Sequence, residues 1–323
     1  MFLQKNTLLF LFCFACFATV TNAQHEKEYG ANAGLSYFIG DVGEDREEGF
    51  KFASIKPQQI KMNVGVFFRY RVSKYFAITS NIAYANLVGD DKNGKTPYVL
   101  ARNLNFRNNI FELSQSIEAN IFQLTKVSKN SPVRNGMRSR VDIRLFVSVG
   151  FGGILFSPTT ELDGVKYKLR PLQTEAKKYG KLTWTVPIGI GFGYTINRKT
   201  YLGVNLNYHF TGTDYLDDVS GFYNVNYQEA LKHKDKPEFA LANRTPEVQS
   251  LTSKDENYNP NMREGYLYDK NTVRGSKSNN DGYLMLNVTV GAVIKGKNKF
   301  YRGRSKALKG RRKVSDKRTR AKF

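Results

Sequence analysis

The stretch from Leu182 to Phe210 alternates across two runs joined by a short turn, and few folds tolerate that pattern. In the first run Leu182, Trp184, Val186, Ile188, Ile190, Phe192 and Tyr194 share one parity, and Thr183, Thr185, Gly189, Gly191, Gly193 and Thr195 share the other. In the second, Leu202, Val204, Leu206, Tyr208 and Phe210 alternate with Tyr201, Gly203, Asn205, Asn207 and His209. A period of two is the period of a strand, and the turn Asn197-Arg198-Lys199-Thr200 makes the pair a β-hairpin. Each run reaches the ~9–11 residues that a tilted strand needs to cross a bilayer, beyond the ~5–6 of soluble strands. In such a barrel the apolar parity faces lipid, and small or polar residues fill a narrow lumen. A soluble sandwich or a lipocalin-like barrel alternates in the same way, so the hairpin alone leaves both open.

The start of the chain and the lengths of the connections decide for the membrane. Lys5, the apolar run Leu8 to Val20 and the small-residue site Thr21-Asn22-Ala23 have the order of a secretory signal peptide. Cleavage after Ala23 removes Cys13 and Cys16, which leaves an exported chain without thiols and excludes disulfides and cysteine chemistry. Past that segment no run approaches the ~18 apolar residues of a membrane helix. The mean hydropathy of −0.48 is compatible with a barrel, in which only alternate residues of each crossing need be apolar.

Six further alternating segments join the hairpin: 29–40, 61–72, 75–87, 109–123, 141–156 and 283–294. In the second of these only Phe67 breaks the pattern. In the fourth, Glu112 and Glu118 share the luminal parity and are expected to face Arg69 or Arg71. Short connections, Ser73-Lys74, Leu124 to Arg140 and Ile196 to Thr200, alternate with long ones, Asp41 to Ile60, Val88 to Asn108, Ser157 to Lys181 and Thr211 to Gly282. Outer-membrane barrels have short periplasmic turns and long outer loops, so the fold expected is all-β: an eight-stranded antiparallel transmembrane outer-membrane β-barrel with both termini periplasmic. Residues 1–23 form the signal peptide, 24–294 the barrel with its outer loops, notably 211–282, and 295–323 a tail. Tyr29, Tyr70, Tyr75, Phe76, Tyr84, Tyr194 and Tyr201 are expected in the interfacial girdles. The long polar seventh connection reads as a mobile or partly ordered outer loop.

Charge is concentrated in the tail, which holds fourteen basic residues against Asp316 and so thirteen of the net twenty-two positive charges. Export argues against nucleic acid as its partner. Acidic protein surfaces, anionic head groups or cell-wall polymer are the partners such a tail meets, with Lys309, Arg311, Arg312, Lys313, Lys317 and Arg318 the candidate binding residues. No catalytic, metal or cofactor constellation stands out. His209 with Asp214 is the one pairing of the kind lipid-modifying barrels use, and His209 reads more simply as a lumen residue. The acids Asp214, Asp217 and Asp218 lack the ligand spacing and loop glycine of an EF-hand.

Thr213-Asp214-Tyr215-Leu216-Asp217-Asp218-Val219-Ser220 resembles a signature of the DUF6089 family of PorG-like barrels, components of the type IX (Por) secretion system. Further matches follow in the family's order: Tyr37 to Asp41, Gly89-Asp90-Asp91, Arg102-Asn103-Leu104-Asn105-Phe106-Arg107, Leu169 to Glu175 and Val186 to Gly191. The resemblance covers about residues 29–223 and departs in the seventh connection and the tail. It marks Arg102, Asn103, Asp214, Tyr215, Asp217 and Asp218 as family positions. It implies a role in protein export in association with a PorK/PorN-like periplasmic ring. Eight strands leave an interior filled by side chains, too narrow for a substrate, so the role expected is anchoring or assembly rather than a channel, in a non-enzymatic barrel without cofactor and surrounded by outer-membrane lipid. An OmpA-like surface barrel that binds a ligand or host molecule through its outer loops is the alternative.

Overall fold

The computed structural model describes residues 26–43, 55–94, 96–127, 140–196, 199–249, 270–277 and 279–294. The expected signal peptide, both cysteines and the basic tail lie outside these residues. Ten strands follow in chain order: β1 Lys27–Ile39, β2 Lys61–Arg71, β3 Phe76–Asp90, β4 Asn105–Val127, β5 Arg140–Leu155, β6 Pro158–Leu162, β7 Val165–Lys168, β8 Leu182–Ile196, β9 Thr200–Thr211 and β10 Gly282–Ile294.

Eight of them close a ring. β10 lies between β9 and β1, and β3 pairs with β4 from Phe76↔Ala119 to Asp90↔Asn105, so the order β1-β2-β3-β4-β5-β8-β9-β10 returns to β1. The result is a closed eight-stranded antiparallel barrel whose strands match the alternating segments to within a few residues. β6 and β7 form a hairpin beyond the ring, attached through the pair Arg107↔Thr159. The fifth connection, expected as a plain loop, therefore has a strand pair of its own. Its turn carries Asp163 and Gly164 at φ 50° and 77°, a backbone that an Asp-Gly pair adopts readily.

Alternation becomes an inside and an outside. Met62, Val66, Ile82, Leu113, Ile117, Val149, Ile188, Ile190 and Val288 are exposed around the wall. A contiguous apolar surface of that extent belongs against lipid rather than water. Aromatic residues mark the edges of this band. Tyr29, Tyr75 and Phe76 are exposed at the short-turn end, and Tyr84 packs on Phe111 with ring centroids 4.9 Å apart toward the other. Tyr201, expected in a girdle, is instead fully buried in the lumen, because it sits on the same parity as Gly203 and Asn205. Phe67 and Phe146 also point inward, and luminal glycines make room for them. A Cβ at Gly191 would lie 2.3 Å from the Phe146 ring, and one at Gly203 2.5 Å from the Tyr201 hydroxyl.

The lumen is filled by charge as well as rings. Arg69 Nη1 lies 2.9 Å from Glu28 Oε2, and Arg69 Nε lies 2.8 Å from Glu118 Oε2. Arg144 Nη2 reaches both oxygens of Glu28 at 3.0 Å. The guanidinium carbons of Arg69 and Arg144 stand 4.7 and 5.1 Å from the centroid of the Tyr201 ring. Glu118 thus meets Arg69 as expected, while Glu112 does not: it pairs with His209 and Tyr283 nearer the other mouth.

Candidate functional site

The long connections all leave the same end of the barrel, and their described parts pack into a cap over that mouth. One cluster of buried side chains runs from strand ends into loops: Phe38, Leu87, Phe106, Ile110, Ile154 and Tyr283 with Val42, Leu104, Leu169, Leu216, Val219 and Leu241. Short local elements shape the loops. Pro97 opens the helix Pro97–Arg102, and Asn103 ends it in a left-handed conformation at φ 53°. Asn226 and Glu229 form a reciprocal capping box on the helix Tyr227–Lys232. The described parts of the seventh connection, 212–249 and most of 270–281, belong to this packed cap. The intervening residues 250–269 lie outside the described chain.

Irregular backbone has no ladder to occupy its N–H groups, and here buried acids take that role. Asp217 accepts from Val42 N at 3.0 Å and from Val219 N at 2.9 Å. Asp281 accepts from Leu216 N at 2.8 Å, and Asp41 from Ser276 N at 2.6 Å. Glu175 accepts from Ser220 N and Gly221 N, both at 3.0 Å. Asp218, at φ 69°, accepts from the hydroxyls of Thr174 and Tyr179. Tyr215 stacks on Tyr179 at 4.7 Å, with the Lys177 ammonium 5.0 Å from its ring centroid.

Two buried arginines cross the acids. Arg102 grips Asp91 with two bonds of 2.7 Å and donates to the carbonyls of Asp41 and Arg274, at 2.6 and 2.9 Å. Arg274 Nη1 donates to Thr174 at 3.0 Å, to Glu175 at 3.1 Å and to the carbonyl of Asp218 at 2.9 Å. Asn103 Nδ2 reaches Glu247 Oε2 at 3.0 Å.

The excess of acid shows in the titration. Burial pushes the Asp214 carboxyl up to about 7, helped by Asp41 and Glu175 nearby. Burial raises Asp218 to about 6 against the opposing pull of Arg274. Asp217 and Asp281 are held well above the usual carboxylate range, first by burial and then by their acidic neighbours.

The family positions are therefore brought together, and all of them build the cap. His209 and Asp214 do not pair. His209 Nδ1 faces Glu112 Oε2 at 3.1 Å, and its ring stacks on Tyr283 at 4.5 Å, so its partner is a luminal acid and it is walled in. Among the described residues no group of three or more His, Cys, Asp or Glu is arranged to hold a metal ion. The cavity lined by Val42, Leu104, Leu169, Asp217, Val219 and Arg274 has about 10 Å³ of free volume, the room of a single water. Sequence reasoning did not anticipate Asp41, Asp91, Glu175, Arg274 and Asp281 as members of this network. Three of them stand inside the family motifs, which was the available signal; Arg274 and Asp281 carry none.

A family model described as "Domain of unknown function (DUF6089)" matches residues 5–234. Among curated proteins nothing matches. Solved structures similar to this chain include Ail, the attachment invasion locus protein of Yersinia pestis, at 6% identity and a TM-score of 0.32, covering 84% of this chain and 100% of Ail. Neisserial surface protein A is similar at 9% identity and a TM-score of 0.31, covering 83% of this chain and 96% of its own.

Proposed function

The chain belongs to the DUF6089 family, and from that membership we propose that it is a non-enzymatic outer-membrane barrel of the type IX protein secretion apparatus, which anchors or assembles the periplasmic ring at that membrane. The ordered motifs from Tyr37 to Ser220 support the secretion assignment. One observation carries the choice of anchor over conduit: the lumen is occupied by Arg69, Arg144, Glu28, Glu118 and Tyr201, and the family positions Arg102, Asn103, Asp214, Tyr215, Asp217 and Asp218 build a cap over it rather than a pore or pocket. An eight-stranded barrel so filled has no room for a polypeptide.

In this reading the short-turn end and both termini face the periplasm. The basic tail, with Lys309, Arg311, Arg312, Lys313, Lys317 and Arg318, then docks on an acidic surface of the ring. Each exposed ion pair contributes roughly 0.2–1 kcal/mol, and several acting together hold a ring against the membrane. Deleting the gene and assaying type IX cargo tests the assignment, and unchanged secretion defeats it. Truncation after Ile294 is expected to leave a heat-modifiable barrel in the outer membrane while weakening co-purification with the ring in a salt-sensitive way. The alternative, a surface barrel that binds a ligand through its cap, draws on the exposed Phe222, Leu231 and Val273. Cap substitutions that abolish function while tail truncation is silent would favour it.

A further inference from the structure

The outer wall of the barrel has one polar break. On all eight strands the outward positions between the aromatic ends are Ala, Gly, Val, Ile, Leu, Met or aromatic, except Ser80 on β3 and Gln115 on β4. The two are direct cross-strand partners, and Ser80 Oγ donates to Gln115 Oε1 at 2.8 Å. Ser80 lies midway between Phe76 and Tyr84, which mark the two edges of the band, so the pair sits near mid-depth. Around it stand Phe68, Ile82, Leu113, Ile117 and Phe151, all exposed.

The serine occupies one lone pair of the amide. Among the described residues Gln115 Nε2 has no acceptor, so two N–H donors face hydrocarbon, where nothing else accepts them. A residue of this kind on a lipid-facing wall is what membrane proteins place where another protein packs.

The chemistry of the group selects the occupant. A carboxamide is both donor and acceptor, so it is satisfied by another carboxamide at the same depth. Two identical barrels in one membrane, related by a two-fold axis along the membrane normal, bring every outward residue opposite its own copy at its own depth. We propose that the β3–β4 wall is a lateral interface between two copies of this chain, in which Gln115 of each copy hydrogen-bonds to Gln115 of the other. This inference rests on the membrane placement proposed above, but not on the secretion role.

Cysteine cross-linking tests it cleanly, because the only cysteines are Cys13 and Cys16 in the segment read as signal peptide. Leu113→Cys and Ile117→Cys, each oxidised in intact membranes, are expected to give a product of twice the mass. Val288→Cys, on β10, is expected to stay monomeric. Adding Gln115→Leu to Leu113→Cys lowers the cross-linked yield about tenfold, and Gln115→Asn, which keeps the amide, restores part of it. Equal cross-linking at Val288→Cys, a yield indifferent to Gln115→Leu, no dimer at either β4 position, or a cross-link to a different protein each overturns the interface. Membrane fractionation and heat modifiability of the same variants check insertion separately. A barrel missing from the membrane fraction defeats the placement itself, and an inserted barrel without the dimer defeats only the interface.

Discussion

The lumen and the cap both bury charge, and they solve the problem in opposite ways. In the lumen the backbone is paired along the strand ladders, so side-chain charges turn to one another and to the hydroxyls and rings beside them. Arg69 and Arg144 converge on Glu28, Arg69 also takes Glu118, and the arrangement is ion pair against ion pair. In the cap the backbone is irregular, and carboxylates satisfy its N–H groups: Asp217 takes two, Glu175 takes two, and Asp281 and Asp41 one each. The lumen matches sign with sign; the cap uses acids as staples, with Arg102 and Arg274 as the crossing ties. Where the scaffold is regular, buried charge fills space, and where it is not, buried charge makes the scaffold.

Arg102→Ala should separate the two regions most sharply. It removes the counter-charge of the Asp91 carboxylate, which keeps only the N–H groups of Gly43 and Leu104, and strips two carbonyls of a donor in a wholly buried site, at about 3–5 kcal/mol. Limited proteolysis should then cut the described loop segments 212–249 and 270–281, while the barrel keeps its heat-modifiable mobility. Loss of both together would show that cap and lumen unfold as one unit. Glu28→Gln makes the converse cut. It leaves Arg69 and Arg144 short of charge at about 2–3 kcal/mol, so the denaturant midpoint of the barrel should fall with cap proteolysis unchanged. Tyr179→Phe removes one donor to Asp218 and should loosen the cap by about 1–2 kcal/mol, read as faster hydrogen exchange in 213–221.

The last test is the pH dependence. Unfolded, the acids of the cap titrate near ~3.9, whereas folded Asp218 titrates at about 6 and Asp214 at about 7. The folded cap therefore binds more protons across that interval. Its stability is full below ~4 and falls as pH rises through the folded values, so protection from exchange in the cap, corrected for the intrinsic rise of amide exchange with pH, should be lower at pH 8 than at pH 5. Asp214→Asn removes the acid with the higher folded value and should flatten part of this trend. A trend of the opposite sign would mean that the cap acids behave like the paired carboxylates of the lumen.

Most of the barrel was legible because lipid outside and a packed lumen inside impose a period of two on every crossing. The exceptions are local. Phe67 broke the pattern and proved to be a luminal ring beside Tyr201, the two centroids 6.0 Å apart. At Asn120 and Phe122 the β4–β5 register shifts, so Ile121 and Phe122 are both exposed although adjacent. The β6–β7 hairpin was signalled only by Asp163-Gly164, because a four-residue strand is too short to show a period. The cap was hardest to read. Its buried Asp, Glu and Arg look the same in sequence as solvated ones, and their partners are remote: Asp217 meets Val42 across 175 positions. The motif residues could be recognised by resemblance, but not what they hold.

That remoteness sets a chronology. Asp41, just after the first strand, receives Ser276, which arrives 235 residues later, and Arg102 receives the carbonyl of Arg274. A long loop costs little more to close than a shorter one, since the penalty grows only with the logarithm of its length, yet it cannot close before its far end exists. A chain delivered only as far as β9 owns most of the wall and every acid of the signature, but neither Arg274 nor Asp281 to bind them. The full set of cap bonds therefore needs a molecule that has arrived through residue 281.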